Sequence, residues 1–380
     1  MKIDANSATF EPQDMAFVKK FGILKATEMA LDYHAEHPNL PFLYDAEQLA
    51  GFLGISRGEL NDIVNHIQKE YKETRLPKKD GTYRSLCVPS IRLRFCQDPI
   101  KEKILPQLPV SKFATAYQKG STTRGNAEPH IGKKFLLKLD ITDFFGSITF
   151  EQVQRTAFNT RYVSRQVGYL LTSLCCKDDS LPQGAATSPA LSNIVMYRFD
   201  DYIGRWCSQR QIAYTRYCDD MTFSANRPLY GVYQKVKTML REMGFELNES
   251  KTHFIGNDNR QSVTGLVVNE KLSIPSGYKR DLRQEVYYAL KFGVEDSVLH
   301  GHRSDFVEDG RPICCPTYML HLMGKVQYVL QIEPENLWFK DAQKKLLAYI
   351  YEHYSESLSY YLHFNKNGKG KGMYEQSNPV

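Results

Sequence analysis

Apolar residues recur at helical spacing from Met15 to Glu70, in the first part of the chain. The pattern predicts two short helices around a turn at Gly54, within the stretch LYDAEQLAGFLGISRGELNDIVNHI. Two helices around a turn are also typical of a helix-turn-helix, but this segment is acidic and would repel nucleic-acid phosphates. We therefore predict that residues 1–70 form a helical N-terminal packing module.

The pattern changes at Tyr71, where two short extended runs flank Asp80-Gly81 in the stretch LPKKDGTYRSLCVP. An Asp-Gly pair between extended runs is a strong signal for a β-hairpin. The following run, IRLRFCQDPIKEKIL, predicts an amphipathic helix. Residues 71–134 are expected to form one region, whose hairpin carries the basic side chains of Lys78, Lys79 and Arg84.

Strand and helix patterns alternate between residues 135 and 270. The predicted elements are a buried strand ending at Asp140, a helical stretch over 151–176, a long helix from about Pro189, a hairpin over 212–225 and a helix over 232–243 that stops at Gly244, followed by short strands. The order strand–helix–strand–strand–helix–strand suits a ferredoxin-like α+β sheet. Part of 150–182 is expected to pack with the preceding basic region. Residues 271–365 are predicted to be helical, and 366–380 to form a flexible basic tail.

Composition narrows the class of protein. Of the 380 residues, 42% are hydrophobic and 24% charged, and no stretch reaches the ~18 apolar residues of a membrane span. The eight cysteines contain no C-x-x-C spacing, and the N-terminus lacks the apolar core of a secretory signal. These features exclude an integral membrane protein and a wholly disordered chain, and we expect a reduced, soluble, cytoplasmic protein.

Charge is distributed unevenly along the chain. Residues 1–70 carry a net charge of −5, whereas residues 71–135 carry +9. Such a reversal is typical of a face that binds a polyanion, although a merely solvated basic surface would give the same count.

Acidic residues stand where strands end or turn. Asp140 ends an apolar run, and Asp219 and Asp220 lie at the tip of the predicted hairpin. Neighbouring strands in a ferredoxin-like sheet would bring these three carboxylates together, and like charges that close require cations to neutralise them. Mg²⁺ takes oxygen ligands of this kind, and two such ions can support in-line phosphoryl transfer. A single Asp at a strand end is more commonly a turn former, so the prediction rests on the three together.

The chain resembles a reverse transcriptase, a right-hand polymerase with fingers, palm and thumb, on four blocks that occur in the family's order. The blocks are LKLDITDFFGSI, LPQGAATSPALSN, YCDD and GFELNESKTHF. Two further blocks are similar to elements of bacterial retron enzymes, namely Asn126 to His130 (N-A-x-x-H) and Val263 to Gly265 (V-T-G). The resemblance implies fingers over 71–134, a ferredoxin-like palm over 135–270 and a helical thumb over 271–365.

The resemblance also implies roles for individual residues. Asp140, Asp219 and Asp220 would be catalytic and would bind two Mg²⁺ ions, with Mn²⁺ as a possible substitute and the Ile141 carbonyl as a further ligand. Phe145 would exclude ribonucleotides, although its neighbour Phe144 is a rival. The remaining nucleotide-binding residues would be Lys78, Arg84, Gln183, Gly184 and Lys251. RNA contacts would come from Asn126, His130, Val263, Thr264, Gly265, Lys279, Arg280 and Arg283. For Asn126 and His130 a structural role stays open, and for Lys251 a solvated surface position.

Retron enzymes copy part of a structured non-coding RNA (msr-msd type) into DNA from a guanosine 2′-hydroxyl, and the product is msDNA. The resemblance therefore implies four partners: the non-coding RNA, its DNA product, deoxynucleoside triphosphates and a separate effector protein of anti-phage defence. A higher-order complex is also possible. The alternatives are a group II intron-like or other bacterial reverse transcriptase, a non-catalytic RNA-binding protein on a polymerase scaffold, and a two-metal nuclease. The three mutually repelling acids argue against the non-catalytic scaffold, and the LPQG block argues against the nuclease.

Overall fold

The computed structural model describes residues 2–4, 7–77, 81, 83–301, 306–308, 311–312 and 315–366. Lys78, most of the KDGT turn and the predicted tail beyond Lys366 lie outside the described residues. The chain divides into two compact units. The first comprises Met1–Ser121 and Leu137–Phe254, and the second Thr122–Leu136 and Ile255–Val380.

Helices account for most of the regular structure. They are α1 (Met15–Phe21), α2 (Ile23–Glu36), α3 (Ala46–Leu53), α4 (Arg57–Asn65), α5 (Ile91–Pro99), α6 (Thr123–Ala127), α7 (Phe150–Thr156), α8 (Arg165–Cys175), α9 (Ser188–Ser208), α10 (Tyr230–Glu242), α11 (Ser276–Phe292), α12 (Val294–His300), α13 (Cys315–Ile332) and α14 (Leu337–Lys366). The predicted helical stretch over 151–176 is divided between α7 and α8, and α14 is kinked at Tyr354.

The strands are short and mostly antiparallel. They are β1 (Lys2–Asp4), β2 (Ser7–Thr9), β3 (Tyr71–Pro77), β4 (Tyr83–Pro89), β5 (Phe135–Asp140), β6 (Ala213–Tyr217), β7 (Asp220–Ala225), β8 (His253–Gly256), β9 (Ser262–Val263), β10 (Leu266–Val267), β11 (Val307–Glu308) and β12 (Arg311–Pro312). β3 and β4 form the predicted hairpin, in a register that pairs Pro77 with Tyr83.

A four-stranded sheet has the strand order β6-β7-β5-β8. With helices between β5 and β6 and between β7 and β8, this is the ferredoxin-like arrangement that the element order predicted, and that prediction is confirmed. The long helix α9 begins at Ser188 with Pro189 in its first turn, where proline is tolerated. Phe223 of β7 and Phe199 of α9 lie in the core of the first unit.

The N-terminal helices are defined by their caps. Asp45 accepts hydrogen bonds from two backbone amides at the start of α3, and Gly54 ends that helix in the left-handed region. Ser56 and Glu59 form a capping box at the start of α4. The two helices around Gly54 are therefore present as predicted, with Leu49 and Leu60 buried.

The second unit has its own apolar core. Residues of α11, α13 and α14, including Val286, Leu322 and Leu346, pack in one cluster with β9 and β10. No helix among the described residues is both long and apolar enough to cross a membrane. The division into N-terminal module, fingers, palm and thumb stays a prediction.

Candidate active site

The β6–β7 hairpin presents two acids at one end of the sheet. Its register pairs Tyr217 with Asp220, which leaves Cys218 and Asp219 as a two-residue turn. Cys218 adopts φ 60°, a left-handed conformation that costs roughly 1–3 kcal/mol for a residue other than glycine. The alternating pattern of IAYTRYCDDMTFSA thus places Asp219 at the tip and Asp220 at the start of β7, as predicted.

Asp140 lies beside this turn because β5 and β7 are neighbours in the sheet. The backbone amide of Ile141 donates to the carbonyl of Asp219 at 3.3 Å, and the amide of Asn248 donates to the carbonyl of Asp140 at 2.8 Å. The predicted neighbourhood of the two strands, 79 positions apart at Asp140 and Asp219, is therefore confirmed.

Burial and mutual repulsion act on the acids of the turn. Burial, with the charges of Asp219 and Asp140, raises the pKa of Asp220 to about 6. Burial and the charge of Asp140 also raise the pKa of Asp219, although a backbone hydrogen bond and the charges of Lys251 and Arg84 act to lower it. The site therefore holds carboxylates whose ionised form is unfavourable without a further cation.

The third acid is already paired. The Lys251 ammonium donates to both carboxylate oxygens of Asp140, at 3.0 and 3.1 Å, and this contact raises the pKa of Lys251. Across the part of the chain that is described, no three His, Cys, Asp or Glu side chains form a group that could hold a metal ion. Among the described residues the three expected carboxylate ligands therefore do not form a metal-binding group, and Asp140 is paired with Lys251.

The two adjacent phenylalanines of the DFFGS block differ in exposure. Phe144 is 4% exposed, and its ring packs near that of Phe245. Phe145 is only partly buried, and its ring centroid lies 5.5 Å from that of Phe144. Phe144 therefore belongs to the core, and Phe145 is the ring that a nucleotide could meet.

The LPQG loop lies against β4. The Cys87 amide donates to the Gln183 carbonyl at 2.7 Å, and Gly184 adopts φ +118°. A Cβ atom at position 184 would lie 2.9 Å from the Cys87 carbonyl oxygen. Gly184 is one of the predicted nucleotide-binding residues, and in the structure its missing side chain admits close approach of the protein's own backbone.

The basic residues of the β3–β4 hairpin are only partly described. Arg84 is exposed on β4 opposite Leu76, and its charge acts on Asp219. Lys78, the other predicted triphosphate ligand, lies outside the described residues.

The N-A-x-x-H and V-T-G blocks meet within the second unit. The Asn126 amide donates to the Thr264 hydroxyl at 3.3 Å, and that hydroxyl donates to the Thr123 carbonyl at 3.2 Å. Thr264 and Gly265, both with positive φ, form a two-residue turn between β9 and β10, the conformation of a type I′ hairpin.

Burial corrects part of the predicted RNA-binding set. Asn126 is 2% exposed, Val263 1% and His130 0%, so these side chains do not present an RNA-binding surface. Burial and the charge of Lys133 lower the pKa of His130 to about 3. The structural alternative is therefore favoured for Asn126 and His130.

Two of the three basic residues predicted on α11 have partners inside the second unit. Lys279 forms an ion pair with Glu333 at 2.7 Å, which corrects its assignment to RNA phosphate. The Arg283 guanidinium lies 5.5 Å from the ring centroid of Trp338. Arg280 has an 80% exposed side chain and neighbours Asp281.

Sequence reasoning missed Arg216, which precedes the YCDD block. Its side chain is fully buried and pairs with Asp200, which is also fully buried. An arginine inside an otherwise apolar, alternating strand was the available signal, since charged residues are rarely buried unless they are paired.

The chain is similar to known proteins in sequence and in structure. The family described as reverse transcriptase (RNA-dependent DNA polymerase) matches residues 76–268, more than half of the chain. A Myxococcus xanthus protein, the retron Mx65 reverse transcriptase, is 31% identical over 320 residues, which cover 78% of this chain and 70% of that relative. The Escherichia coli retron Ec86 reverse transcriptase is 28% identical over 270 residues, 70% of this chain and 84% of that relative. Among solved structures, a Candida albicans telomerase has a TM-score of 0.42 at 13% identity, covering 76% of this chain and 62% of its own.

Proposed function

This chain belongs to the retron-type reverse transcriptases, and on that premise we propose that it copies part of a cognate structured RNA into single-stranded DNA, starting from a guanosine 2′-hydroxyl. That the chain is an RNA-directed DNA polymerase follows from family membership itself, and the motif order predicted it. The choice of RNA, the branched primer and the roles of individual residues are the proposal.

The observation that carries the proposal is that β5, which ends at Asp140, lies beside the β6–β7 hairpin, whose turn bears Asp219 and Asp220. In each addition the primer hydroxyl oxygen bonds to the α-phosphorus of the nucleotide, and the bond to the leaving pyrophosphate breaks. Carboxylate oxygens are hard donors, and the raised pKa values of Asp219 and Asp220, which reflect burial and mutual repulsion, support a cation site beside them. Two Mg²⁺ ions, or Mn²⁺ in their place, held by the acids and the Ile141 carbonyl would activate the hydroxyl and stabilise the leaving oxygen.

Asp140 must give up Lys251 to join that set. The Lys251 side chain is 60% exposed, and an ion pair open to water contributes only about 0–1 kcal/mol, so it is easily exchanged. We assign the released ammonium to the pyrophosphate, which develops negative charge as it leaves.

The incoming deoxynucleotide is proposed to lie between the fingers hairpin and the LPQG loop, both in the first unit. Arg84 would hold the triphosphate as a planar fork, together with Lys78. Phe145 would lie under the sugar and exclude a 2′-hydroxyl by contact. Gln183 would face the new base pair through its side-chain amide, which can both donate and accept, while its backbone carbonyl accepts a hydrogen bond from the Cys87 amide.

The RNA partner is proposed to be the msr-msd type of transcript, on the basis of the retron relatives. Arg280 is an exposed cation of the predicted α11 surface, and the exposed rings of Tyr287 and Tyr288 on the same helix offer stacking faces for bases. A separate effector protein, a larger complex and a role in anti-phage defence rest on family membership alone.

The test is to express the gene with its flanking DNA and to analyse the nucleic acid that co-purifies with the protein. We expect a short DNA joined to RNA through a ribonuclease-resistant branch. The matched control is a D219N/D220N variant, which should fold and yield no DNA. Unbranched DNA, or activity on any primed template without bound nucleic acid, would overturn the retron proposal in favour of an intron-like enzyme.

A second readout addresses the metal independently of synthesis. Mg²⁺ added to the chelator-treated wild type should raise the midpoint of thermal unfolding, because a ligand that binds only the folded state stabilises it. D219N/D220N should show no such rise. An equal rise in both proteins would remove these acids from the metal site.

A further inference from the structure

A charged pair is buried under the β6–β7 turn, in the core of the first unit. Arg216 lies in β6 and Asp200 in α9, and both side chains are 0% exposed. The guanidinium Nη2 donates to Asp200 Oδ2 at 2.6 Å, and Nε donates to Oδ1 at 2.9 Å. Because burying two charges costs about as much as their attraction returns, stability is a weak reason for such a pair.

The same guanidinium also contacts the turn. Its Nη1 donates to the carbonyl oxygen of Cys218 at 2.7 Å. Cys218 is the residue with positive φ, so this charge-assisted hydrogen bond acts on the most strained peptide of the hairpin. The next residue along the chain is Asp219, and Asp220 follows it.

The pair is anchored on every side by described residues. Nη2 also donates to the Asn193 side chain at 3.1 Å, and Asn193 in turn donates to the Ala116 carbonyl at 2.8 Å. The Tyr214 hydroxyl donates to Asp200 at 2.7 Å. The guanidinium carbon lies 5.8 Å from the centroid of the Phe144 ring. The DFFGS block, the helix after the LPQG loop and the YCDD turn therefore share one buried group.

We propose that Arg216, held by Asp200 and Asn193, is a positioning residue that fixes the Cys218–Asp219 turn and thereby aims Asp219 and Asp220 for nucleotide addition. The inference rests on the roles proposed above for those two acids. Arg216 itself touches neither substrate nor metal. Its planar fork is essential, because one lysine ammonium is a single point charge and cannot span Asp200, Asn193 and the Cys218 carbonyl in the same geometry.

The experiment separates positioning from stability. In the double variant Arg216→Met/Asp200→Leu the buried charges are replaced together by apolar side chains, a change that is often neutral for stability. Arg216→Lys keeps the charge and loses the fork. The control is Arg205→Lys, which alters an exposed ion pair with Asp201 on the same helix α9. Each purified protein is compared by thermal unfolding and by primer extension, with kcat and the KM for deoxynucleotide measured separately.

We expect the double variant to unfold near the wild-type temperature while its kcat falls about 100-fold, the effect of misplacing a reacting group by about 1 Å. The KM for nucleotide should change little, because the triphosphate ligands are untouched. Arg216→Lys should likewise lose kcat with little change in unfolding temperature or KM, and Arg205→Lys should match the wild type. A folded double variant or a folded Arg216→Lys with wild-type kcat would overturn the proposal.

Failure of both Arg216 variants to fold would also overturn it, since the pair would then serve stability. D219N/D220N is assayed alongside them. If that variant extends primers, the proposed function fails. If it is inactive while the double variant is fully active, only the inference about Arg216 fails.

Discussion

Two ion pairs flank the acids of the β6–β7 turn, and they differ in almost every physical respect. Arg216 and Asp200 are both 0% exposed and are tied to neighbouring groups by further hydrogen bonds. The Lys251 side chain is 60% exposed, and its ammonium donates to Asp140, whose side chain is 8% exposed. One pair is fixed within the core, and the other can exchange its cation with solvent.

The difference in burial suits the two ion pairs to different tasks. A buried pair cannot lose one partner without leaving an uncompensated charge, so it is suited to hold a turn in place. An exposed lysine leaves at little cost, so it is suited to neutralise a carboxylate until a metal ion or a leaving group arrives. The first unit therefore contains one acid, Asp200, whose pairing is fixed by burial, and another, Asp140, whose partner is exposed to solvent.

Breaking the buried pair on one side should have the largest effect on stability. Asp200→Leu leaves the Arg216 guanidinium buried without its carboxylate, and we expect a loss of about 3–5 kcal/mol in the free energy of unfolding. The measurement is urea denaturation, with Asp201→Leu as control, at a position of the same helix where the side chain is partly exposed. If Asp200→Leu costs no more than Asp201→Leu, the pair is not the fixed element described here.

Removing the charge of Asp220 should change the free energy of unfolding by a smaller amount and in the opposite direction, towards higher stability. The pKa of Asp220 is about 6 in the folded protein against 3.8 in its ordinary state. The unfolded chain therefore releases this proton first, and the wild type loses stability as the pH rises from 3.8 through 6. In chelator, Asp220→Asn should be more stable than the wild type by about 1–3 kcal/mol above pH 6, and the difference should vanish below pH 3.8.

The free energies of unfolding of both proteins are measured by urea denaturation above pH 6 and below pH 3.8, in the same buffers. A difference that stays constant across the range would show that the substitution acts through packing and not through the charge of the carboxylate.

Removing the exposed lysine should have the smallest effect. Lys251→Met is expected to change the free energy of unfolding by less than about 1 kcal/mol, because solvent screens the pair it breaks. The check is the same denaturation experiment at low and high salt. A loss as large as that of Asp200→Leu would abolish the contrast between the two pairs.

Much of the four-stranded sheet could be predicted from the sequence because its signals are local. The alternation of FLLKLD and of IAYTRYCDDMTFSA set the strands, Gly244 set a helix end, and the element order gave the sheet. Asp140 and Asp219 could be placed together because the strand order of a ferredoxin-like sheet is known.

What the sequence did not predict depends on contacts between distant segments. The hydrogen bond between Asn126 and Thr264 joins positions 138 residues apart, and nothing in either short block indicates its partner. Lys251 gave no sign that it would face Asp140, since a lysine near a turn has the same local pattern when it is solvated. Burial of His130 likewise depends on the packing of the whole second unit.

Gly184 and Cys87 have a consequence for how the enzyme tolerates change. The loop backbone shares a hydrogen bond with β4 and leaves no room for a methyl group between them. Neither segment can slide along the other without losing that bond, so a shift in the hairpin is transmitted directly to the loop. On the roles proposed above for the hairpin and the loop, a substitution that moves one segment is expected to move the other, so the two are expected to change together in evolution.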